Sequence, residues 1–232
     1  MKTGSLVIAA AALFIVSPIL HAQNISWGAD QSYTGTDADI DTHGTFVAGV
    51  FENYTASSVL VDGMTFDQVG DSHIGSPGAG GGDGSGSATT PYLQILDGCS
   101  YVGVSPGGDP VNGVSGVSTF SLNNLTAGDV YQVQVWNVTG YAGPNNANGR
   151  ETLLSGSDTA DLVGSDFVVG KFTATGSGAE SFTIQGVPGG YYGEIDAIAL
   201  RDLGPAPEPS TYAMLFAGVG ALVIAMRLRR LA

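Results

Sequence analysis

Two long apolar runs bracket the chain, and between them short segments alternate polar and apolar positions with a period of two. The clearest is Asp129–Asn137, DVYQVQVWN, which places Tyr131, Val133 and Val135 on one face and Gln132, Gln134 and Trp136 on the other. Similar patterns predict strands over 45–53, 57–61, 63–69, 118–122, 167–175, 180–185 and 195–202. Gly or Asn-Asn clusters separate most of them. Helical periodicity is nearly absent, and 91–96 predicts only one short turn. About eight short strands at this spacing predict a single all-β domain, a two-sheet sandwich of jelly-roll type rather than a propeller or solenoid. No internal repeat is visible.

The flanking runs have a different character. Lys2 precedes an apolar core from Leu6 to Ile19, broken only by Ser17 and Pro18, and Leu20-His21-Ala22 offers a small residue at a cleavage position. This predicts a signal peptide over 1–22, cut after Ala22 by signal peptidase; a retained N-terminal helix is the alternative. At the other end, Ser210 to Met226 contains no charged residue. Those residues predict a transmembrane helix over 210–226, about 25 Å long at roughly 1.5 Å per residue, at the short limit for a hydrocarbon core of about 30 Å. Arg227, Arg229 and Arg230 follow at once and fix the C-terminus in the cytoplasm. The body, 23–204, is thereby placed outside the cytoplasmic membrane.

Immediately before the span stands the triplet Pro207-Glu208-Pro209. Triplet, apolar run and basic cluster, in that order over 205–232, resemble the PEP-CTERM sorting signal of exported bacterial proteins, which a membrane-embedded exosortase recognises and processes. The resemblance implies an exosortase as partner. It also implies a precursor held in the cytoplasmic membrane of a Gram-negative-type bacterium, bound for the cell surface or extracellular matrix. An ordinary anchor left in place is the alternative reading of the same residues.

Charge narrows the partners of the body. Its basic residues are Arg150, Lys171 and Arg201, and it holds all but one of the chain's 21 acidic residues, for a formal charge of −17. Such a surface repels nucleic acid and anionic lipid and attracts divalent cations. About 180 residues suffice for one domain with a substantial core. The single cysteine, Cys99, excludes an internal disulfide framework. Glycine, 36 of 232 residues, is densest in 72–90, SHIGSPGAGGGDGSGSATT, which predicts a mobile inter-strand loop because it buries too little apolar area to offset ordering entropy.

The order of motifs in the body also resembles a module of exported PEP-CTERM proteins of verrucomicrobial type. It begins with a strand starting Ile25-Ser26-Trp27-Gly28, the acidic turn from Asp37 to Gly44 and the hairpin Val61-Asp62-Gly63-Met64-Thr65-Phe66. The strand from Leu125 to Trp136, the segment Val168 to Ala174 and a closing strand ending Ala197-Ile198-Ala199-Leu200-Arg201 follow. This resemblance implies a galactose-binding-like sandwich, a fold that often holds carbohydrate-binding modules, without naming a ligand.

Two constellations are candidate sites. Asp37, Asp39 and Asp41 lie two residues apart within one turn, a spacing at which carboxylates converge on a hard cation such as calcium. A solvated acidic turn is the plainer reading, because the glycine and glutamate of an EF-hand loop are missing. Tyr141, Tyr191 and Tyr192 sit in glycine-rich contexts, where exposed rings stack on a sugar's apolar face while Arg150, or Asn145 and Asn146, hydrogen-bond the hydroxyls of a polysaccharide. Trp136 is either a further platform or a core residue at a sheet edge. Motifs for a nucleophile elbow, a zinc helix or a phosphate loop are absent, so no catalytic residue and no resident cofactor are expected. The resulting expectation is a non-enzymatic surface or matrix protein. A calcium-bridged adhesive protein and a secreted glycan hydrolase are the alternatives.

Overall fold

The computed structural model describes residues 25–52, 57–68, 71–75, 88–98, 100–102, 117–138, 151–156, 159–163, 166–186 and 193–207. Among them lie fifteen strands, one 3-10 turn and one short helix. The main sheet has eight strands. Its path runs β1 (Ser26–Trp27), β12 (Asp166–Thr173), β9 (Asp129–Asn137), β15 (Ala197–Pro205), β3 (Thr45–Phe51), β5 (Met64–Gln68) and β4 (Ser58–Val61), with β2 (Gln31–Ser32) also pairing β12. The second sheet has five: β11 (Thr159–Val163), β10 (Glu151–Ser155), β13 (Glu180–Gly186), β8 (Val117–Leu122) and β6 (Ile74–Gly75). A small pair joins β14 (Gly193–Ile195) to β7 (Ser100–Val102). Among the described residues, the β3–β5 pair of the main sheet is parallel and its other pairs are antiparallel.

The two sheets face each other across a continuous core. From the main sheet come Val133, Val135, Val168, Ile198 and Leu200; from the second come Phe120, Leu122, Leu154, Leu162, Phe182 and Ile184. Phe120 and Phe182 stack at 5.4 Å, and Trp27 meets Phe182 edge-on at 5.5 Å. Each such side chain withdrawn from water stabilises the fold by about 1.5–3 kcal/mol. The architecture is an all-β sandwich.

The other face of the main sheet is covered too, and here the sequence pattern misleads. The expected polar face of β9 is buried: Gln132, Gln134 and Trp136 are 1, 2 and 0% exposed. A lid crosses it, made by the segment 33–43 and by the helix α1 (Pro91–Ile95), and packs Ile40, Tyr92, Ile95 and Leu96 onto Phe51, Phe66, Phe167 and Trp136. Trp136 is therefore core at the interior of the sheet, neither an edge residue nor a sugar platform. Gly49 is small because the Phe66 ring lies where its side chain would be, 2.5 Å from an ideal Cβ.

Local signals account for several boundaries. Asp62 and Gly63 both have positive φ, 46° and 77°, as a two-residue hairpin between β4 and β5 requires. Thr90 caps α1 by accepting the Leu93 N–H at 3.3 Å, and Pro91 takes the first turn. The expected strand 195–202 is two strands: the chain leaves β14 at Asp196, whose N–H bonds Trp136 O at 2.9 Å, and enters the main sheet as β15. β15 also runs past Asp202 to Pro205. The predicted mobile loop is structured at its start, where Ile74 on β6 is fully buried and pairs with Leu122. Residues 76–87 of that loop lie outside the described residues, as do the predicted signal peptide and the predicted helix 210–226. Among the described residues no helix is long and apolar enough to cross a membrane.

Candidate functional site

The lid segment is built around the acidic turn. Asp37–Asp39 form the 3-10 turn, and Asp39 points inward. One of its carboxylate oxygens accepts the Thr34 hydroxyl at 2.6 Å; the other accepts the Thr34 N–H at 2.9 Å and the Tyr92 hydroxyl at 3.1 Å. The Tyr92 oxygen in turn accepts the indole N–H of Trp136 at 3.2 Å. Burial, and then the neighbouring Asp39, push the Tyr92 hydroxyl far above the ordinary phenol range, so it stays a donor. Tyr33, stacked on Tyr92 at 6.1 Å, is raised as well, by burial first and by Asp39 next.

Two glutamine contacts and one arginine fasten this turn to the sheet. Gln134 accepts the Asp41 N–H at 2.9 Å and donates to Asp39 O at 2.7 Å, which explains why a polar strand residue can be buried. Arg201, 7% exposed on β15, donates from Nε to His43 O at 2.7 Å and from Nη2 to Thr42 O and Gly44 O, both at 3.1 Å. Its guanidinium also lies 5.8 Å from the centre of the Phe46 ring. Burial lowers the Arg201 pKa, yet a guanidinium remains charged. Gly44 takes a positive φ of 74°, and a Cβ there would collide with Asp202 O, so glycine is required at this position.

Asp41 faces the other way. One of its oxygens accepts the His43 N–H at 2.8 Å and lies 2.6 Å from His43 Nδ1. Burial opposes its ionisation, but the His43 backbone and ring bonds outweigh that and hold the carboxyl below its usual value. The same arrangement recurs at Asp71 and His73, where Oδ1 accepts the His73 N–H at 2.6 Å and sits 3.0 Å from Nδ1. Beside the turn opens a shallow depression of about 400 Å³, lined by Gln31, Ser32, Thr34, Thr42, Phe167 and Val169 together with Asp39, Asp41 and His43.

The three candidate calcium ligands are thus brought into one turn but aimed apart. Asp37 is exposed, Asp39 bonds inward to Thr34 and Tyr92, and Asp41 bonds His43. Among the described residues no three His, Cys, Asp or Glu side chains are grouped as a metal site. The candidate carbohydrate residues Tyr141, Arg150, Tyr191 and Tyr192 lie outside the described residues. So do Glu208, Pro209, Arg227, Arg229 and Arg230; Pro207 is described and exposed. Sequence reasoning missed Arg201, Tyr92 and Gln134 as the fasteners of the turn. A signal for Arg201 was present, since it is an isolated charge closing the apolar stretch Ala197-Ile198-Ala199-Leu200.

Comparison with known proteins adds the tail. The family model described as the PEP-CTERM protein-sorting motif matches residues 205–230. The chain therefore carries that motif, which implies an exported, membrane-anchored precursor sorted by an exosortase. No curated protein matches the sequence. A solved structure, the extracellular domain of ANXUR2 from Arabidopsis thaliana, is similar with a TM-score of 0.48 and 9% identity, over 67% of this chain and 41% of that one.

Proposed function

We propose that the chain is a non-enzymatic surface or matrix protein, released to the cell exterior through its sorting tail, whose sandwich binds polysaccharide. The observation that carries the reading is the sorting motif joined to a folded, strongly acidic β-sandwich. The depression beside the acidic turn supports the sugar clause, because residues with hydroxyl and amide side chains line it together with the apolar Phe167 and Val169. Tyr141, Arg150, Tyr191 and Tyr192 stay part of this proposal as a second contact region. Signal peptidase and exosortase are the processing partners.

A polysaccharide array probed with the purified protein tests the sugar clause. Binding that weakens in a Gln31→Ala, Thr42→Ala double variant supports it; no binding to any matrix polysaccharide removes it. Intact-mass measurement of protein recovered from the envelope or medium tests the sorting clause, which fails if both termini are retained. One observation favours a second reading, self-association as an adhesive component. β4 ends the path of the main sheet, and its Leu60 is 61% exposed. Light scattering in calcium and in chelator separates the cases: assembly that Leu60→Lys abolishes assigns the strand edge, and chelator-reversible assembly assigns calcium bridging.

A further inference from the structure

We propose that the end of the sandwich from which the chain leaves, formed by residues 123–128 and 174–179, is a docking surface for the membrane-embedded exosortase. This rests on the sorting reading above and adds the face of the protein that the enzyme meets.

The tail begins inside the fold. β15 is interior to the main sheet, with β9 on one side and β3 on the other, and its pairing with β9 continues, past a register shift between Asp202 and Gly204, to the pair Pro205↔Asp129. Ala206 is still fastened, its N–H bonding Gly128 O at 3.0 Å. The sorting motif starts at residue 205, so its first two residues belong to the folded body. Pro207 follows directly. From Ala206 to Ser210, where the span is predicted to start, four residues of extended chain reach about 14 Å at most. An enzyme embedded in the bilayer that binds the Pro-Glu-Pro triplet must therefore approach the sandwich end within that reach.

The surface it meets is a single piece. Gly128 N–H bonds Ala174 O at 2.9 Å, Ala174 N–H bonds Asp129 O at 2.9 Å, and Leu125 N–H bonds Gly178 O at 3.0 Å. Thr126, Ala127, Thr175 and Ser177 stand exposed on it. Neither loop contains a charged residue, although the body carries −17. Asp129 and Glu180 border the surface and are half-buried and buried. Short side chains let another backbone come close, and with no charge on the surface none has to be desolvated when a protein covers it. A lipid surface would instead be sought by basic side chains, and these loops have none.

The test follows processing of the full chain, as a loss of mass over time, in cells that contain the exosortase. Thr126→Glu with Thr175→Glu, and separately Thr126→Lys with Thr175→Lys, place charges of either sign on exposed positions without disturbing the fold, which an unchanged Tm verifies. Both pairs are expected to slow processing about fivefold. A Gly/Ser insertion of about ten residues after Ala206 is expected to remove that sensitivity, because the sandwich end then no longer faces the enzyme. The proposal is overturned if neither pair has an effect, or if both slow processing equally with and without the insertion. Slowing by the Glu pair alone assigns the surface to anionic lipid and also overturns it. An unsubstituted chain that is never processed defeats the sorting reading itself, a different result from any of these.

Discussion

Replacing Arg201 by methionine keeps most of its length and apolar contact but removes the fork that binds the acidic turn. Three charged hydrogen bonds are lost, to His43 O, Thr42 O and Gly44 O. Bonds to charged groups contribute about 1.5–3 kcal/mol each when their partners are stranded. Here the turn residues are exposed, so water replaces part of the loss. Methionine also spares the desolvation of a buried charge, which offsets more of it. A net cost of about 2–3 kcal/mol follows, equivalent to roughly 5–10 °C in Tm for a domain of this size. Thermal and urea unfolding of the purified protein measure it, and hydrogen exchange should show faster opening of residues 41–44 than of β9. Arg201→Lys should recover less than half, since an ammonium cannot serve three carbonyls with a planar fork. A methionine variant within about 2 °C of the parent, or full recovery by lysine, would refute the assignment of Arg201 as the fastener of the turn.

Tyr92→Phe strands the Trp136 indole N–H in the core and takes one donor from Asp39. The expected loss is about 1–3 kcal/mol by unfolding, with a shift in tryptophan emission, and an unchanged stability would contradict the bridge. Asp41 has a folded pKa below its usual 3.8, so its stabilising contribution is complete above that pH and disappears as pH falls through the lower folded value. Asp41→Asn should therefore flatten the stability profile in that acidic window, and a profile that keeps its slope would count against the His43 contact.

How far the fold was legible depends on the distance between partners. The strand Asp129–Asn137 was readable to the residue, because its alternation is local. Its second burial was not, since Gln134 is satisfied by backbone 93 and 95 residues away and Trp136 by a tyrosine 44 residues away. A polar residue hydrogen-bonded to a distant turn looks, in sequence, like one facing water. The two-residue strands at Gln31–Ser32 and Ile74–Gly75 are too short to show any period, and Ser26–Trp27 was expected from the motif resemblance alone. The acidic spacing did mark the turn, but the direction of each carboxylate depends on Thr34, Tyr92 and His43, which a two-residue repeat cannot convey.

The attachment of the tail to β15 has a mechanical consequence. A pull on the anchored end loads this strand lengthwise between β9 and β3, both antiparallel to it. The bonds along both borders are then strained together in shear, so yielding requires many to rupture at once. Had the exit been at a peripheral strand such as β4, the same tug would unzip them singly. A cell-surface protein hung in this way is braced against drag.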